Sequence, residues 1–382
     1  MRVHRIQCEG NQTVSFELLD DTDQPIEIVS GFMRHLRARD YSPNTLSAYA
    51  HDLLHFMTFL KQQQLTYQDF TPPHAFLFLE YVTALSHQKP VQRLGLVLST
   101  TTNDGSSTTR LSPATINRLF AAVSSFYEYL ILSGQFTQRE NPIQQVDDPA
   151  LARVSGRHRP FLGSASKQRP IRRAVHVKTV QHLPRPMEDD HVNKLLESFQ
   201  LKRDRAMILL MLQGGLRPGE VLNLHLEDLQ YGRRRVIIRY RTDHPKGVRT
   251  KSRTERVVDL YQPETLQAVS DYVMHERPSD VDSPYVFLVG GHGTRRGEPL
   301  GYHALVKLFE RHCERLQIRN PWVTPHALRH THATKMWEGG MRELALQKRL
   351  GHASPESTRI YTQVSDPLMV AEYRRALGEE ET

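Results

Sequence analysis

The second half of this sequence places arginine, lysine and histidine residues, which can bind anions and transfer protons, near glycine-containing turns. Arg217 follows a glycine pair and directly precedes Pro218, at the predicted start of a short helix. A guanidinium and free backbone N–H groups at such a position together bind anions. Glu220 lies one helical turn further on and could orient Arg217. Lys251 lies in the basic segment 241–255, which is predicted to be an elongated β-hairpin. These features point to phosphate chemistry.

A histidine-rich helix supplies a second group of candidates. His326 and His330 are four residues apart and share a helix face, a spacing that also occurs in zinc sites. Ala327 stands where a zinc protease helix carries Glu, and no cluster of Cys or carboxylates flanks the pair, so we expect no metal site. His326 and Arg329, three residues apart, also project from one face of this predicted helix.

Two further candidates follow this helix. His352 comes directly after the helix break at Gly351, and Tyr361 lies on the next short predicted helix. Taken singly, each candidate has an ordinary structural interpretation: a cap for His352, packing for Tyr361, a solvated loop lysine for Lys251 and a helix-start ion pair for Arg217. The order in which they occur along the chain is more specific than any one of them.

Taken together, these residues resemble the catalytic set of the tyrosine recombinases, the phage integrase family. The set is Arg217, Lys251, His326, Arg329, His352 and Tyr361. The matching motifs are Gly-Leu-Arg-Pro-Gly-Glu at 215–220, His-Ala-Leu-Arg-His at 326–330 and Leu-Gly-His-Ala-Ser-Pro-Glu-Ser-Thr-Arg-Ile-Tyr at 350–361. The segment 251–260 aligns with the hairpin lysine of the family. Ser-Pro-Asn-Thr-Leu-Ser-Ala-Tyr at 42–49 is similar to the helical core-binding domain of the family.

The resemblance implies a DNA strand cleavage in which Tyr361 forms a 3′-phosphotyrosyl link and releases a 5′-hydroxyl. Arg217 and Arg329, with His326 or His352, would stabilise the charge that develops on the phosphate oxygens. By the same analogy His326 would accept the proton of the tyrosine.

A lysine of the hairpin completes the implied set. Lys251 would protonate the leaving 5′-oxygen, but the hairpin is longer than the usual pattern of the family, so Lys246 competes with Lys251 for this role. Transesterification conserves the energy of the phosphodiester bond, and the sequence holds no Walker motif. We therefore expect no cofactor, neither a metal ion nor a nucleotide.

The elements that must position these residues form two patterns. Residues 25–145 have helical periodicity, with helix starts at Ser42-Pro43 and Ser112-Pro113 and a further helix at 73–85, after a short hairpin that includes 14–18. From residue 186 onward, helices alternate with strands predicted at 236–240, 256–260 and 285–289. The predicted fold is mainly α with a small antiparallel β-sheet. In terms of the resemblance, it is a helical core-binding (SAM-like) domain followed by an α+β tyrosine-recombinase catalytic domain.

A basic segment separates the two patterns. The residues from 151 to 182 include eight Lys or Arg and no Asp or Glu, which equals the whole formal net charge of +8. Such a segment could follow a phosphate backbone, although a solvated tether has the same composition. The predicted divisions are an N-terminal segment 1–24, a core-binding domain 25–145, a linker 146–185 and a catalytic domain 186–382. The predicted DNA contacts are Arg169, Arg172, Arg173, Lys178 and Lys246.

The composition and the resemblance together define the expected partners. A net charge of +8 favours a polyanion, and the resemblance implies double-stranded DNA, with a homotetramer on paired DNA sites. The longest apolar run, 206–212, is too short for a membrane span, and the N-terminus is too polar for a signal peptide. We therefore expect a cytoplasmic protein that does not bind membranes.

Three functions remain in competition. The favoured one is a site-specific recombinase that integrates, excises or transposes a mobile element. A type IB topoisomerase-like or telomere-resolving enzyme would share the nucleophile but not the pairing of two DNA sites, and the core-binding domain argues against it. A non-catalytic DNA-binding protein would have no need of the intact catalytic set.

Overall fold

The computed structural model describes residues 1–7, 14–88, 108–138, 140–147, 171–179, 185–250, 252, 254–352, 357–358 and 373–374. The chain divides into two compact units, Met1–Val180 and Gln181–Thr382. The described part is mostly helical with small antiparallel sheets, which confirms the predicted fold class. None of its helices is long and apolar enough to cross a membrane.

Four helices build the described part of the first unit: α1 (Glu27–Ala38), α2 (Pro43–Gln62), α3 (Pro72–Ala84) and α4 (Pro113–Leu132). The predicted starts of α2 and α4 are confirmed, because the hydroxyls of Ser42 and Ser112 accept hydrogen bonds from the amides of Thr45 and Thr115, both at 3.2 Å. The helices enclose an aromatic core. Its fully buried rings include Phe32, Phe56, Phe78, Phe126 and Tyr127.

Short strands complete the first unit. The predicted N-terminal hairpin is present as β1 (Arg2–Gln7) and β2 (Val14–Leu19), and the fully buried Leu18 of β2 packs in the helical core. A second pair consists of β3 (Ser86–Gln88) and β4 (Thr108–Arg110).

The end of the predicted linker is bound to the first unit. Strand β5 (Gln145–Asp147) pairs with β6 (Ile171–Arg173), so the later part of the basic segment lies beside the end of the first unit. The amide of Asn117 then holds both backbone groups of Val177: its Oδ1 accepts from the N–H at 2.9 Å and its Nδ2 donates to the carbonyl at 2.8 Å. Val175 is buried beside it. The boundary between the units therefore falls inside the predicted linker 146–185, and residues 171–177 are part of the first unit.

The second unit combines seven described helices with one sheet. The helices are α5 (Asp189–Glu197), α6 (Lys202–Leu212), α7 (Pro218–Leu222), α8 (Pro263–His275), α9 (Tyr302–Arg315), α10 (Pro325–Glu338) and α11 (Glu343–Leu350). Helix α6 is buried from Ala206 to Met211 and packs against α8 and α10. This central position explains why this part of its sequence is apolar all round.

The sheet has the order β7-β8-β9, formed by β7 (Leu229–Gln230), β8 (Arg235–Ile238) and β9 (Arg256–Asp259). The two strands predicted at 236–240 and 256–260 are confirmed as β8 and β9. The third predicted strand, 285–289, is wrong: it forms only isolated bridges, from Tyr285 to His225 and from Leu288 to Pro299. The reason is that its two ends hydrogen-bond to different loops, so no continuous ladder develops.

The connection between β8 and β9 packs on the second unit in its described part. His244 is buried in an edge-to-face contact with Tyr285, and its Nδ1 accepts a hydrogen bond from the amide of Lys246. Thr250 donates to the carbonyl of Arg239 through its hydroxyl. Up to Thr250, the basic hairpin is thus anchored rather than projecting.

Candidate active site

Arg217 precedes the first turn of α7 as its N-cap residue. The turn that leads to it requires Gly215, whose φ is +67° and where a Cβ would lie 2.5 Å from the His332 ring. The Arg217 side chain is 16% exposed, and its Nη1 donates to Oε1 of Glu220 at 2.8 Å. Its Nη2 donates to the carbonyl of Gly351 at 3.2 Å. The guanidinium is therefore held on two sides while part of it remains open to solvent.

Glu220 is the centre of a charged cluster. Arg256, from β9, donates to both of its oxygens, from Nη1 at 2.9 Å and from Nη2 at 2.7 Å, and Nη1 of Arg329 lies 3.8 Å from Oε2. Burial alone would raise the pKa of this carboxyl, but the hydrogen bonds and charge of Arg256, followed by the charges of Arg329 and Arg217, lower the pKa to about 2. Three guanidinium cations thus surround one carboxylate, and these four side chains, the Glu220 cluster, carry a net charge of +2.

Arg329 reaches this cluster from α10 and is almost fully buried. Its Nη1 donates to the carbonyl of Gly215 at 2.6 Å, and its Nη2 donates to the carbonyl of Leu350 at 2.6 Å. Nη2 also lies 3.0 Å from Nε2 of His352. Arg329 therefore links the turn before α7 to the end of α11, and these three acceptors carry no charge that would neutralise it.

His352 follows α11, which ends at Gly351 in the left-handed conformation. Because a guanidinium can only donate, Nε2 of His352 must accept from Arg329, and Nδ1 therefore carries the proton and donates to the hydroxyl of Thr358 at 2.8 Å. Burial, together with the charges of Arg329, Arg217 and others, lowers the pKa of His352 to about 3. The imidazole is consequently neutral at physiological pH.

A second histidine–arginine pair supports the backbone around the cluster. Nδ1 of the buried His332 donates to the carbonyl of Leu212 at 3.0 Å, and its Nε2 accepts from Nε of Arg349 at 3.0 Å. Arg349 also donates to the carbonyls of Asp259 and Gln213, both at 3.2 Å. Burial, then the charge of Arg349, lowers the pKa of His332 to about 3. His332 is thus a neutral structural residue of this turn.

The other two histidines of α10 lie nearer the surface. His326 is exposed, whereas His330 is half-buried, and burial with the charges of His326 and Arg329 lowers the pKa of His330 to about 4. In the described ranges, no group of three or more His, Cys, Asp or Glu side chains is placed to hold a metal ion.

The remaining predicted residues are distributed over both units. Lys251, Tyr361 and Arg169 lie outside the described residues. Lys246 lies over Gly301, and its Nζ forms an ion pair with Glu298 at 2.9 Å.

The basic residues at the end of the predicted linker lie on the first unit. Arg172 and Lys178 are exposed there, and Arg173 is half-buried.

Family models match both units. The model of the phage integrase family matches residues 185–367, and the model of the phage integrase N-terminal SAM-like domain matches residues 29–93. The chain belongs to the phage integrase family. The predicted family is thereby confirmed, and so is the predicted class of enzyme, a DNA strand transferase of site-specific recombination or transposition.

Relatives of this tyrosine recombinase include a transposon protein and a Xer protein. Transposase A from transposon Tn554 of Staphylococcus aureus is 28% identical over 383 aligned positions, which cover 100% of this chain and 99% of that protein. Tyrosine recombinase XerC of Caldanaerobacter subterraneus is 29% identical over 329 positions, which cover 85% of this chain and 79% of that protein. The Tn1549 transposon integrase, solved in complex with a circular intermediate DNA, has the same fold, with a TM-score of 0.59, 18% identity and coverage of 91% of this chain and 99% of that chain.

Arg256 and Arg349 are contacts of this site that the sequence did not indicate. Arg256 lies 36 residues from the carboxylate that it binds, so no helical or hairpin spacing connects the two. Its one signal in the sequence is its place as the first residue of the strand that follows the basic segment 241–255. The contacts of His332 with the Leu212 carbonyl and with Arg349 likewise could not be read from its spacing.

Proposed function

We propose that this tyrosine recombinase cleaves and rejoins double-stranded DNA at the ends of a mobile element, with Tyr361 as the nucleophile. A relative that matches the chain over its whole length is a transposase, and a protein of the same fold has been solved on a circular intermediate DNA. Both support transposition or the excision and integration of an element as the biological role.

The convergence of Arg217 and Arg329 is the observation that carries the proposal. They come from distant parts of the sequence, yet both lie against Glu220 and both donate to backbone carbonyls of residues 350–351, just before His352. The Glu220 cluster keeps a net positive charge, and Arg217 is partly open to solvent. Such an arrangement is suited to a phosphate, because fixed guanidinium donors can stabilise the added charge of a pentacoordinate phosphorus without rearranging.

The proposed step is a transesterification. The phenolic oxygen of Tyr361 attacks the phosphorus, the bond from phosphorus to the 5′-oxygen breaks, and a 3′-phosphotyrosyl link forms. A phenol has an ordinary pKa of about 10, so its proton needs an acceptor, for which the exposed His326 is suited. Lys251 supplies the proton that the leaving 5′-oxygen takes up. The reverse reaction, with a 5′-hydroxyl of the partner strand, reseals the DNA.

His352 has a different role in this proposal from that of a phosphate donor. Its Nε2 lone pair is engaged by Arg329 and its Nδ1 proton by Thr358, so both ring nitrogens are already used. We assign it to holding Arg329 in place, and the phosphate donors are then the two arginines.

The assembly follows from the chemistry of exchange. Two duplexes exchange four strands, which requires four active sites, so a homotetramer on paired DNA sites is the proposed active form. The exposed Arg172 and Lys178, together with Arg169 and the half-buried Arg173, are the proposed backbone contacts from the linker. Lys246 is a weaker candidate, because its ammonium is paired with Glu298. The reaction would take place on cellular DNA in the cytoplasm.

The test is covalent capture. Nicked suicide duplexes that tile the DNA flanking the gene are incubated with the parent protein, Tyr361→Phe and the control Tyr231→Phe, which loses a phenolic oxygen from a turn of the second unit. We expect a denaturant-resistant protein–DNA adduct with the parent and the control only, while all three bind DNA equally. An adduct that persists in Tyr361→Phe would show that another residue is the nucleophile.

A further inference from the structure

Arg256 connects the Glu220 carboxylate to the backbone at the end of α11. Its side chain is 6% exposed, so no more than a small part of it faces solvent. Two of its nitrogens bind the two oxygens of Glu220, and its Nε donates to the carbonyl of Arg349 at 2.9 Å. All three donating nitrogens are therefore used inside the protein. This differs from Arg217, whose side chain remains partly open.

We propose that Arg256 is a positioning residue for strand cleavage, which fixes the Glu220 carboxylate in the one orientation that directs Arg217 toward the phosphate. The inference rests on the proposed function, since it concerns the same site. It assigns to Arg256 a task that is performed through Glu220, without contact with DNA.

The hydrogen bonds of Glu220 support this assignment. Oε1 accepts from Nη1 of Arg217 and from Nη1 of Arg256, and Oε2 accepts from the backbone amide of Arg217 and from Nη2 of Arg256. Each carboxylate oxygen thus carries one hydrogen bond from each arginine. Without the two parallel hydrogen bonds from Arg256 the carboxylate could rotate, and the Arg217 side chain would move with it.

The path of Arg256 also connects the cluster to the turn that carries His352. Gly351 has a φ of +64°, and a Cβ at this position would lie 2.7 Å from Nη1 of Arg256. The turn therefore approaches the guanidinium more closely than any other residue would allow. Strand β9 is in this way joined by one side chain to α7 and to the end of α11.

The charges around Glu220 give the inference a signature in pH dependence. The groups that face the carboxylate are Arg217 from its own helix, Arg256 from β9, Arg329 from α10 and, near Arg329, the neutral His352. Arg256 supplies the largest effect that lowers the pKa of Glu220, against the opposing effect of burial. Removal of Arg256 therefore raises this pKa, so protonation of Glu220 begins at a higher pH.

The experiment uses the duplex with which the parent protein forms the covalent adduct. It measures the rate of single-turnover cleavage from pH 5 to pH 8 for the parent, Arg256→Met and Arg256→Lys. We expect Arg256→Met to be slower by about 10²-fold, the loss that a misplacement of about 1 Å produces. We also expect it to lose further rate toward pH 5, where the parent is not limited by Glu220. Arg256→Lys should recover only part of the rate, because an ammonium restores the charge but cannot form both parallel hydrogen bonds to the carboxylate.

The matched control is Arg241→Met. Arg241 is a similarly buried arginine of the same unit that binds the buried Asp228 through Nη1 at 2.6 Å and Nη2 at 3.1 Å, without touching Glu220. We expect the loss of this buried pair to destabilise the fold to a comparable degree, so the variant reports what destabilisation alone does to the cleavage rate. We expect the control to keep the pH profile of the parent.

A double-mutant cycle with Glu220→Gln separates a positioning role from a structural one. If Arg256 acts through the charge of Glu220, Arg256→Met costs much less in the Glu220→Gln background, and the acid loss of rate disappears. Parent-like cleavage by Arg256→Met, additive effects in the cycle or an unchanged pH profile would overturn the inference. A failure of the proposed function would look different, since the parent itself would then form no adduct.

Discussion

Nε2 of His352 accepts a hydrogen bond from Nη2 of Arg329 across 3.0 Å, and this direction fixes the tautomer of the imidazole. The ring can accept from a guanidinium only while Nε2 is unprotonated. Protonation would replace an attractive contact by two like charges, which agrees with a pKa of His352 lowered to about 3, with burial as the first cause and the charge of Arg329 as the second.

We therefore predict that His352 does not titrate between pH 5 and pH 8. Protein with ¹⁵N-labelled histidine should show a His352 resonance of the Nδ1–H tautomer throughout this range, assigned by its absence in His352→Gln. We also expect His352→Ala to slow cleavage by about 10- to 100-fold, because a hydrogen bond to a charged group contributes about 1.5–3 kcal/mol. A resonance that titrates near the ordinary histidine pKa would contradict the tautomer.

The two arginines of the phosphate site should act on the transition state. We predict that Arg217→Ala and Arg329→Ala slow single-turnover cleavage at saturating protein by about 10²–10³, the usual effect of losing one preorganised donor. Lysine replacements should restore the rate only in part. Arg172→Ala, which removes an exposed arginine of β6, is the control and should weaken binding with little effect on the saturated rate. A near-parental rate for either arginine variant would make that residue a binding residue only.

The lysine of the hairpin can be identified with a modified leaving group. We predict that the Lys251→Ala variant does not cleave an ordinary duplex. It should still cleave a duplex with sulfur at the bridging 5′ position, because a thiolate leaves without taking up a proton. Lys246→Ala should stay within about threefold of the parent on both duplexes, since Lys246 is held by Glu298 in a partly exposed ion pair of small energy. If the duplex with the bridging 5′-sulfur instead restored cleavage by Lys246→Ala and not by Lys251→Ala, Lys246 would be the lysine that protonates the leaving oxygen.

The end of the predicted linker should contribute to the salt dependence of DNA binding. We predict that Arg172→Gln and Lys178→Gln each reduce the slope of log affinity against log salt by about 0.9, the value for one phosphate contact on duplex DNA. Both residues are exposed on the segment that Asn117 holds. Arg296→Gln is the control, because this arginine of the second unit is already paired with Asp280. If both linker variants keep the parental slope, the segment is only a tether.

Local signals explain which elements could be predicted. Ser42 and Ser112, each followed by proline, predict helix starts because the cap and the first turn are formed by neighbouring residues. Strand β7 could not be predicted, since two residues, Leu229 and Gln230, carry no periodicity. The run 285–289 has the composition of a strand, but a strand also requires one continuous partner strand. Whether such a partner lies beside it depends on residues far away in the sequence.

For the site, too, short motifs could be predicted from the sequence and contacts between distant residues could not. Arg217 and Arg329 could be proposed from short motifs, whereas the position of Arg256 opposite Glu220 depends on how β9 packs against α7. The role of His352 as an acceptor likewise depends on a contact over 23 residues, and its residue type alone allows either a donor or an acceptor. Residue type and order can thus name the participants, and tertiary packing decides which atom of each one is available.

The backbone carbonyls that receive these arginines also affect how the protein can change over time. Arg329 is held by the carbonyls of Gly215 and Leu350, and Arg217 by that of Gly351. These acceptors belong to the backbone, so they depend on the path of the chain, which the left-handed Gly215 and Gly351 help to fix, and not on any exposed side chain. Surface residues that read a DNA sequence can therefore vary without removing the supports of the chemistry. An enzyme built in this way can acquire new target sites while the machinery that cuts and reseals them stays in place.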